Sequence, residues 1–231
     1  MWCTDAVKIR LAAVVIALAA LGGCSTPPGP DPATPAPTLP EDAIAYDDLL
    51  STDREFPYDN TCDQLSPGTI AEIGGSDTHV LSGLAGPEGC AVEFYTAELE
   101  ELWIQAQSPP NPSEPRYFPL VWNGEINSST YHRRLLLDGR YYAVETIDFL
   151  GGLPGCYLTV DTGSPNALQF RGIVPEAHAT GYGQLNPAFT NYEVDHAGTA
   201  RFMEDNCPTV ERAAVALLRD IDPDGGSLAT S

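Results

Sequence analysis

Lysine is almost missing from this chain. Lys8 is the only one, and the remaining cations are ten arginines set against 32 Asp and Glu, for a formal charge of −21. So acidic a chain has no basic footprint for phosphates, which excludes nucleic acid as a partner. Direct docking on anionic lipid is disfavoured for the same reason. Long apolar runs are also scarce. The longest, Leu11 to Gly23, has thirteen apolar or small residues, whereas a permanent helical span needs about 20. Linear catalytic signatures are absent as well: there is no G-x-S-x-G, no H-E-x-x-H and no closely spaced cysteine pair. The chain therefore carries no sequence-readable hydrolase or zinc motif, and no metal or cofactor is expected.

What is present begins at the N-terminus. Lys8 and Arg10 precede the apolar run, which ends in "LGGC", Leu21 to Cys24. A short basic region and an apolar core of this length form a signal peptide, expected over residues 1–23. Its end resembles the bacterial lipobox, with Leu21 at −3, two small residues and then the cysteine. The resemblance implies a diacylglyceryl group on the Cys24 thiol and cleavage that leaves Cys24 first. Two acyl chains anchor stably where one is marginal. Loss of residues 1–23 takes the formal charge from −21 to −22 and leaves nine arginines and no lysine.

From Cys24 to about residue 45 the chain is dense in proline and has no apolar periodicity. Such a segment cannot bury enough surface to order itself, and its prolines keep it extended. At about 3.1 Å per residue, Ser25 to Pro40 reaches roughly 50 Å. It reads as a tether carrying one globular domain over 46–222, followed by a flexible tail over 223–231. About 190 residues lie beyond the tether, enough for a single core.

Four cysteines fall in the domain: Cys62, Cys90, Cys156 and Cys207. An even number in an exported domain implies disulfides. Three connectivities exist. The expected one is Cys62–Cys90, closing the N-terminal region, with Cys156–Cys207, tying the last helix to the sheet. In the loop-entropy model each contributes about 3.5–4 kcal/mol, less any native strain.

The domain itself reads as strands between helices. Ser66-Pro67 opens a short helix that Gly74-Gly75 stops. "GCAVEFYTAE", "LWIQAQ" and "YFPLVW" read as strands. "HRRLLLDGRYYAVETIDFL" reads as a hairpin about Asp138-Gly139, and "GCYLTVDT" with "NALQFRGIV" as another. "CPTVERAAVALLRDI" is a helix with Val210, Ala213, Ala214, Leu217 and Leu218 on one face. The expected fold is α+β: one antiparallel sheet with helices packed on one face, and two disulfides.

An early "CDQLS", a "GC" some thirty residues later, a "CYLTVD" strand and a final "CPTVERAA" helix form a pattern. It resembles the actinobacterial lipoproteins classed as domain of unknown function 3558, over about Pro57 to Asp220. That family is expected to carry a Trp shortly after the second cysteine, and "CAVEF" has none. The resemblance implies a secreted, lipid-anchored domain and supplies no catalytic residues.

Several motifs invite sharper readings. "VDTGSPN", Val160 to Asn166, spells the catalytic loop of an aspartic protease. That chemistry needs two carboxylates sharing a proton, yet no other Asp in the chain is followed by Thr-Gly. A turn between strands accounts for these residues, with Asp161 expected exposed and idle. "DIDPDGG", Asp220 to Gly226, matches the start of an EF-hand loop, but position 12 is Ser231 rather than Glu. His79, His132, His178 and His196 are isolated. Arg133 and Arg134, in "YHRR", offer an anion contact through bidentate arginine geometry, weighed against a strand-edge cluster paired with local acids. The function expected is a lipid-anchored envelope domain that binds a small ligand or another envelope protein. An envelope hydrolase assembled from scattered residues is the alternative.

Overall fold

A computed structural model describes residues 54–74, 78–82, 89–94, 96, 98–111, 116–126, 131–150, 153–185 and 194–227 (backbone alone at 78, 79, 81, 82 and 150). All lie in the second of the chain's two compact units, Ala36–Ser231. The signal peptide, Cys24 and the tether lie outside the described residues.

Helix α1 spans Pro67–Gly74. The Ser66 hydroxyl accepts from the Thr69 N–H at 3.1 Å, the cap expected ahead of a first-turn proline. The strands are β1 (Thr78–Ser82), β2 (Cys90–Phe94), β3 (Glu101–Gln107), β4 (His132–Leu137), β5 (Tyr141–Leu150), β6 (Leu153–Asp161) and β7 (Ala167–Ile173). They form one antiparallel sheet in the order β1-β2-β3-β7-β6-β5-β4. Two runs of neighbouring strands, β1–β3 and β4–β7, thus meet where β3 pairs with β7. The β4–β5 turn has both central residues left-handed, Asp138 at φ 51° and Gly139 at φ 66°, the conformation that matches strand twist.

Helix α3 runs His196–Ile221, beginning well before the expected start at Cys207. The Asp195 side chain caps it, accepting from the Gly198 N–H at 2.7 Å. Pro208, in the first turn of the helix as expected from the sequence, stands inside the observed one. An interior proline costs about 3 kcal/mol. Phe202, Met203 and Cys207, all fully buried just before it, offset that cost, at about 1.5–3 kcal/mol for each large side chain. A second difference is "YFPLVW", which is a short helix, α2 (Phe118–Trp122), rather than a strand. Pro119 fits a first helical turn and has no N–H for a ladder.

Alternation along the strands divides the core. Tyr141, Ala143, Leu158, Val160, Leu168 and Phe170 face α1 and α3. Tyr142, Val144 and Ala167 face the other way and meet Phe118, Val121 and Trp122 of α2. The expected α+β sheet with two helices on one face is what forms, with α2 on the opposite side. Gly172 sets how closely α3 approaches: a Cβ there would lie 2.2 Å from Val210 Cγ2. The disulfides are Cys62–Cys90 and Cys156–Cys207, with Cα atoms 5.0 and 5.5 Å apart. The second joins β6 to α3, as expected.

Candidate functional site

The turn that spells Asp-Thr-Gly-Ser joins β6 to β7, but Asp161 is fully buried rather than exposed. Its Oδ1 receives Arg116 Nη2 at 2.7 Å and the Gly163 N–H at 2.9 Å. Three other parts of the chain close over the turn. Arg54 donates to the Thr162 carbonyl at 2.8 Å, and the Tyr117 N–H to the Pro165 carbonyl at 2.9 Å. From the C-terminal side, Ser227 Oγ donates to the Asp161 carbonyl and accepts from the Tyr142 N–H, each at 2.7 Å. Residues 223–227 are therefore docked, not the start of a flexible tail. Burial pushes the Asp161 carboxyl up, while the Arg116 guanidinium and the Gly163 N–H pull it down. Its hydrogen-bonded partners are a cation and an amide, and the site braces the fold.

The acidic "DIDPDGG" is likewise occupied. Asp220 accepts from the Ser66 N–H at 2.8 Å, tying α3 to the start of α1. Asp222, only 3 % exposed, is held by the Arg54 guanidinium and receives the Tyr141 hydroxyl at 3.2 Å. Among the described residues no group of three His, Cys, Asp or Glu is placed to hold a metal.

The basic cluster sits on β4, an edge strand, and its two arginines point to opposite faces. Arg133 reaches Glu145 Oε2 at 2.8 Å and also pairs with Glu211 of α3. Arg134 lies over the Trp122 ring, 4.8 Å from its centroid, and donates to the Trp122 carbonyl at 2.9 Å. Both are engaged within the protein, Arg133 with local acids as in the strand-edge reading weighed against an anion contact. Glu145 is fully buried, and neither of its oxygens has a well-aligned hydrogen-bond donor. Burial foremost, and then the nearby Glu211 carboxylate against the pull of Arg133, push its carboxyl up to about 8. One guanidinium cannot neutralise two carboxylates. Glu211 is partly exposed and Glu145 is not, so the shared proton belongs on Glu145.

The histidines stand in four separate elements. His79 and His132 are on the two opposite edge strands, His178 is exposed in a short 3₁₀ turn, and His196 is exposed at the start of α3. Burial and the neighbouring Arg134 lower the His132 pKa.

The sheet face away from α1 and α3 carries a different chemistry. Across it runs one row in register: Ala91, Trp103, Arg171, Tyr157, Thr146 and His132. The next row brings Gln105, Gln169 and Thr159 side by side. Buried Gln169 accepts from Gln105 Nε2 at 2.7 Å and Gln107 Nε2 at 2.9 Å. Arg171 pairs with Asp148 and lies 5.1 Å over the Tyr157 ring. On the helical side two open depressions flank α3. One, of about 380 Å³, is lined by Glu72, Glu98, Thr209 and Arg212; the other, of about 490 Å³, by Asp138, Glu211 and Arg219.

Sequence reasoning missed Glu145, Arg116 and the glutamine cluster. "WIQAQ" did signal the last of these, since Trp103, Gln105 and Gln107 alternate with apolar residues. Glu145 was hidden because both faces of "YYAVETI" are apolar. Comparison of the chain with models of known families, with curated proteins and with solved structures finds no match in any of them.

Proposed function

We propose that this chain is a lipid-anchored extracytoplasmic binding domain of the cell envelope, without catalysis of its own. The observation that supports it most is the pair of disulfides, each joining separate elements of one core. Such bonds persist in oxidising compartments, where the signal peptide and the Cys24 lipobox would deliver the chain. The same cysteine frame supports membership of the lipoproteins classed as domain of unknown function 3558. Absence of catalysis is supported by where the acids go. Asp161 and Asp222 are ion-paired braces, and Glu145 is closed beneath α3 at 0 % exposure. These three acids are therefore held in structural contacts rather than presented to a substrate.

Fractionation of cells producing the full chain or Cys24→Ala tests the reading. The parent chain should sediment with membranes and be degraded by protease added outside, and the variant should be released. A parent chain found in the cytoplasm, or a Cys24→Ala chain still held on the membrane, would contradict it.

A further inference from the structure

We propose that the sheet face opposite α1 and α3 binds a neutral oligosaccharide, stacked on Trp103 and hydrogen-bonded by Gln105, Gln107 and Arg171. The proposal rests on the reading of the chain as an envelope binding domain and names its ligand class. It starts from the residue types on that face. Trp103, Gln105 and Gln107 alternate along β3, so their side chains emerge on one side. All three are partly exposed. An indole ring presents a broad apolar plane suited to the C–H face of a sugar ring. The amides beside it carry both donors and acceptors, as vicinal hydroxyls do.

The amides are also held in place. Gln105 and Gln107 each spend one N–H on the buried Gln169 oxygen. A side-chain amide has two N–H groups and a carbonyl, so each keeps a donor and an acceptor for a ligand. Gln169 in turn reaches Thr159 Oγ1 at 3.4 Å, which fixes the cluster from beneath. Such pre-positioning lowers the entropy lost on binding.

Charge decides the ligand class. Every described arginine at this face is already matched: Arg171 by Asp148, Arg116 by Asp161, and Arg134 by the Trp122 carbonyl and ring. The charges of Arg171 and Arg116 are each met by a carboxylate, and a formal charge of −21 over the chain repels an anion. The Arg171 guanidinium carbon lies 5.1 Å from the centre of the Tyr157 ring, and Arg171 is the cross-strand neighbour of Trp103, so a guanidinium and an indole stand side by side on this face. Two depressions lie along α3, on the other side of the sheet. A broad polar sheet face fits an extended chain of sugar rings rather than a compact molecule. A proline-rich peptide would also stack on Trp103, but it would leave the amide cluster largely unused.

The test titrates the full chain with neutral hexose, pentose and N-acetylhexosamine oligomers, and separately with a proline-rich peptide, by calorimetry. Three variants accompany it: Trp103→Ala, the double Gln105→Ala/Gln107→Ala, and Arg219→Ala on the far side as control. Thermal unfolding checks that each folds, and the partly exposed glutamine pair keeps the test decisive if Trp103→Ala does not. Saturable binding of an oligosaccharide is expected, weakened about tenfold or more by either sheet-face change and unchanged by Arg219→Ala. No saturable binding of any neutral oligomer, binding insensitive to both sheet-face changes, or binding of the peptide alone would overturn the proposal. Anchoring is scored separately by fractionation of Cys24→Ala, so failure here leaves the envelope reading standing.

Discussion

Replacing Glu145 with Gln should make the protein more stable at neutral pH, not less. The parent carboxyl is pushed up to about 8 from an ordinary value of 4.5. A group raised on folding contributes stability that is present below its unfolded pKa and lost as pH rises through its folded one. Between about pH 5 and pH 8 the unfolded chain has released this proton while the folded chain still holds it. Each pH unit in that window therefore removes up to about 1.4 kcal/mol of parent stability. Gln copies the shape of the protonated acid and has no proton to lose, so its profile lacks this slope. Arg133 keeps Glu211 as its partner. The difference between variant and parent should then shift in favour of the variant by about 2–3 kcal/mol from pH 5 to pH 7. Urea unfolding with the disulfides intact, at matched ionic strength, measures it; contributions common to both proteins cancel. Parallel profiles, or a variant that loses ground as pH rises, would show that Glu145 is ionised and paired with Arg133. The reasoning from burial would then fail.

Removing the Arg116 guanidinium with Arg116→Ala should cost about 3–5 kcal/mol, because Asp161 is left buried without a cation; chemical denaturation reads it. Asp161→Asn keeps the Gly163 contact in place of the charge and should cost less than Arg116→Ala, and the reverse order would count against the clamp. Ser227→Ala removes one hydroxyl that bridges the Asp161 carbonyl and the Tyr142 N–H. It should cost about 1–3 kcal/mol and speed amide exchange at Tyr142; a neutral result would mean that the docked tail contributes nothing. Gly172→Ala places a methyl 2.2 Å from Val210 Cγ2 and should cost about 1–3 kcal/mol by overpacking. Pairing it with Val210→Ala should recover part of that loss in thermal unfolding.

These sites also mark where the sequence was legible. Strands β2 to β7, other than their exact ends, follow from alternating apolar and β-branched residues and from Asp138-Gly139. The disulfide pairing is the one expected among the three connectivities, with one bond closing the N-terminal region and the other tying the last helix to the sheet. Local signals misled where a proline had two meanings. Pro208 opens a helix in isolation, yet the apolar stripe Phe202, Met203 and Cys207 carries α3 through it. Pro119 sat in a run of strand-forming residues, yet it belongs to a helical turn over Tyr142 and Val144. Strand β1, over Thr78–Ser82, carried too short a pattern to stand out.

Asp161 shows a different limit. Turn-forming neighbours placed it in a turn correctly, and turns usually face water. What buries it comes from residues distant in sequence: Arg54, Arg116, Tyr117 and Ser227 all converge on the turn. No local pattern encodes that convergence. Its partner is also distant, with Arg116 lying 45 residues before it. The glutamine face shows the converse. Its polarity was written in the alternation of β3, while its coherence needed the register of three strands.

The mature form of the chain in its own membrane is where lipidation and oxidation can be read together. Non-reducing peptide mass spectrometry of chain extracted from membranes reads both ends of the argument at once. The account predicts an N-terminal peptide that begins at Cys24 and carries acyl chains, together with linked peptides for Cys62–Cys90 and Cys156–Cys207. A chain that begins at Met1 with its thiols free would contradict it.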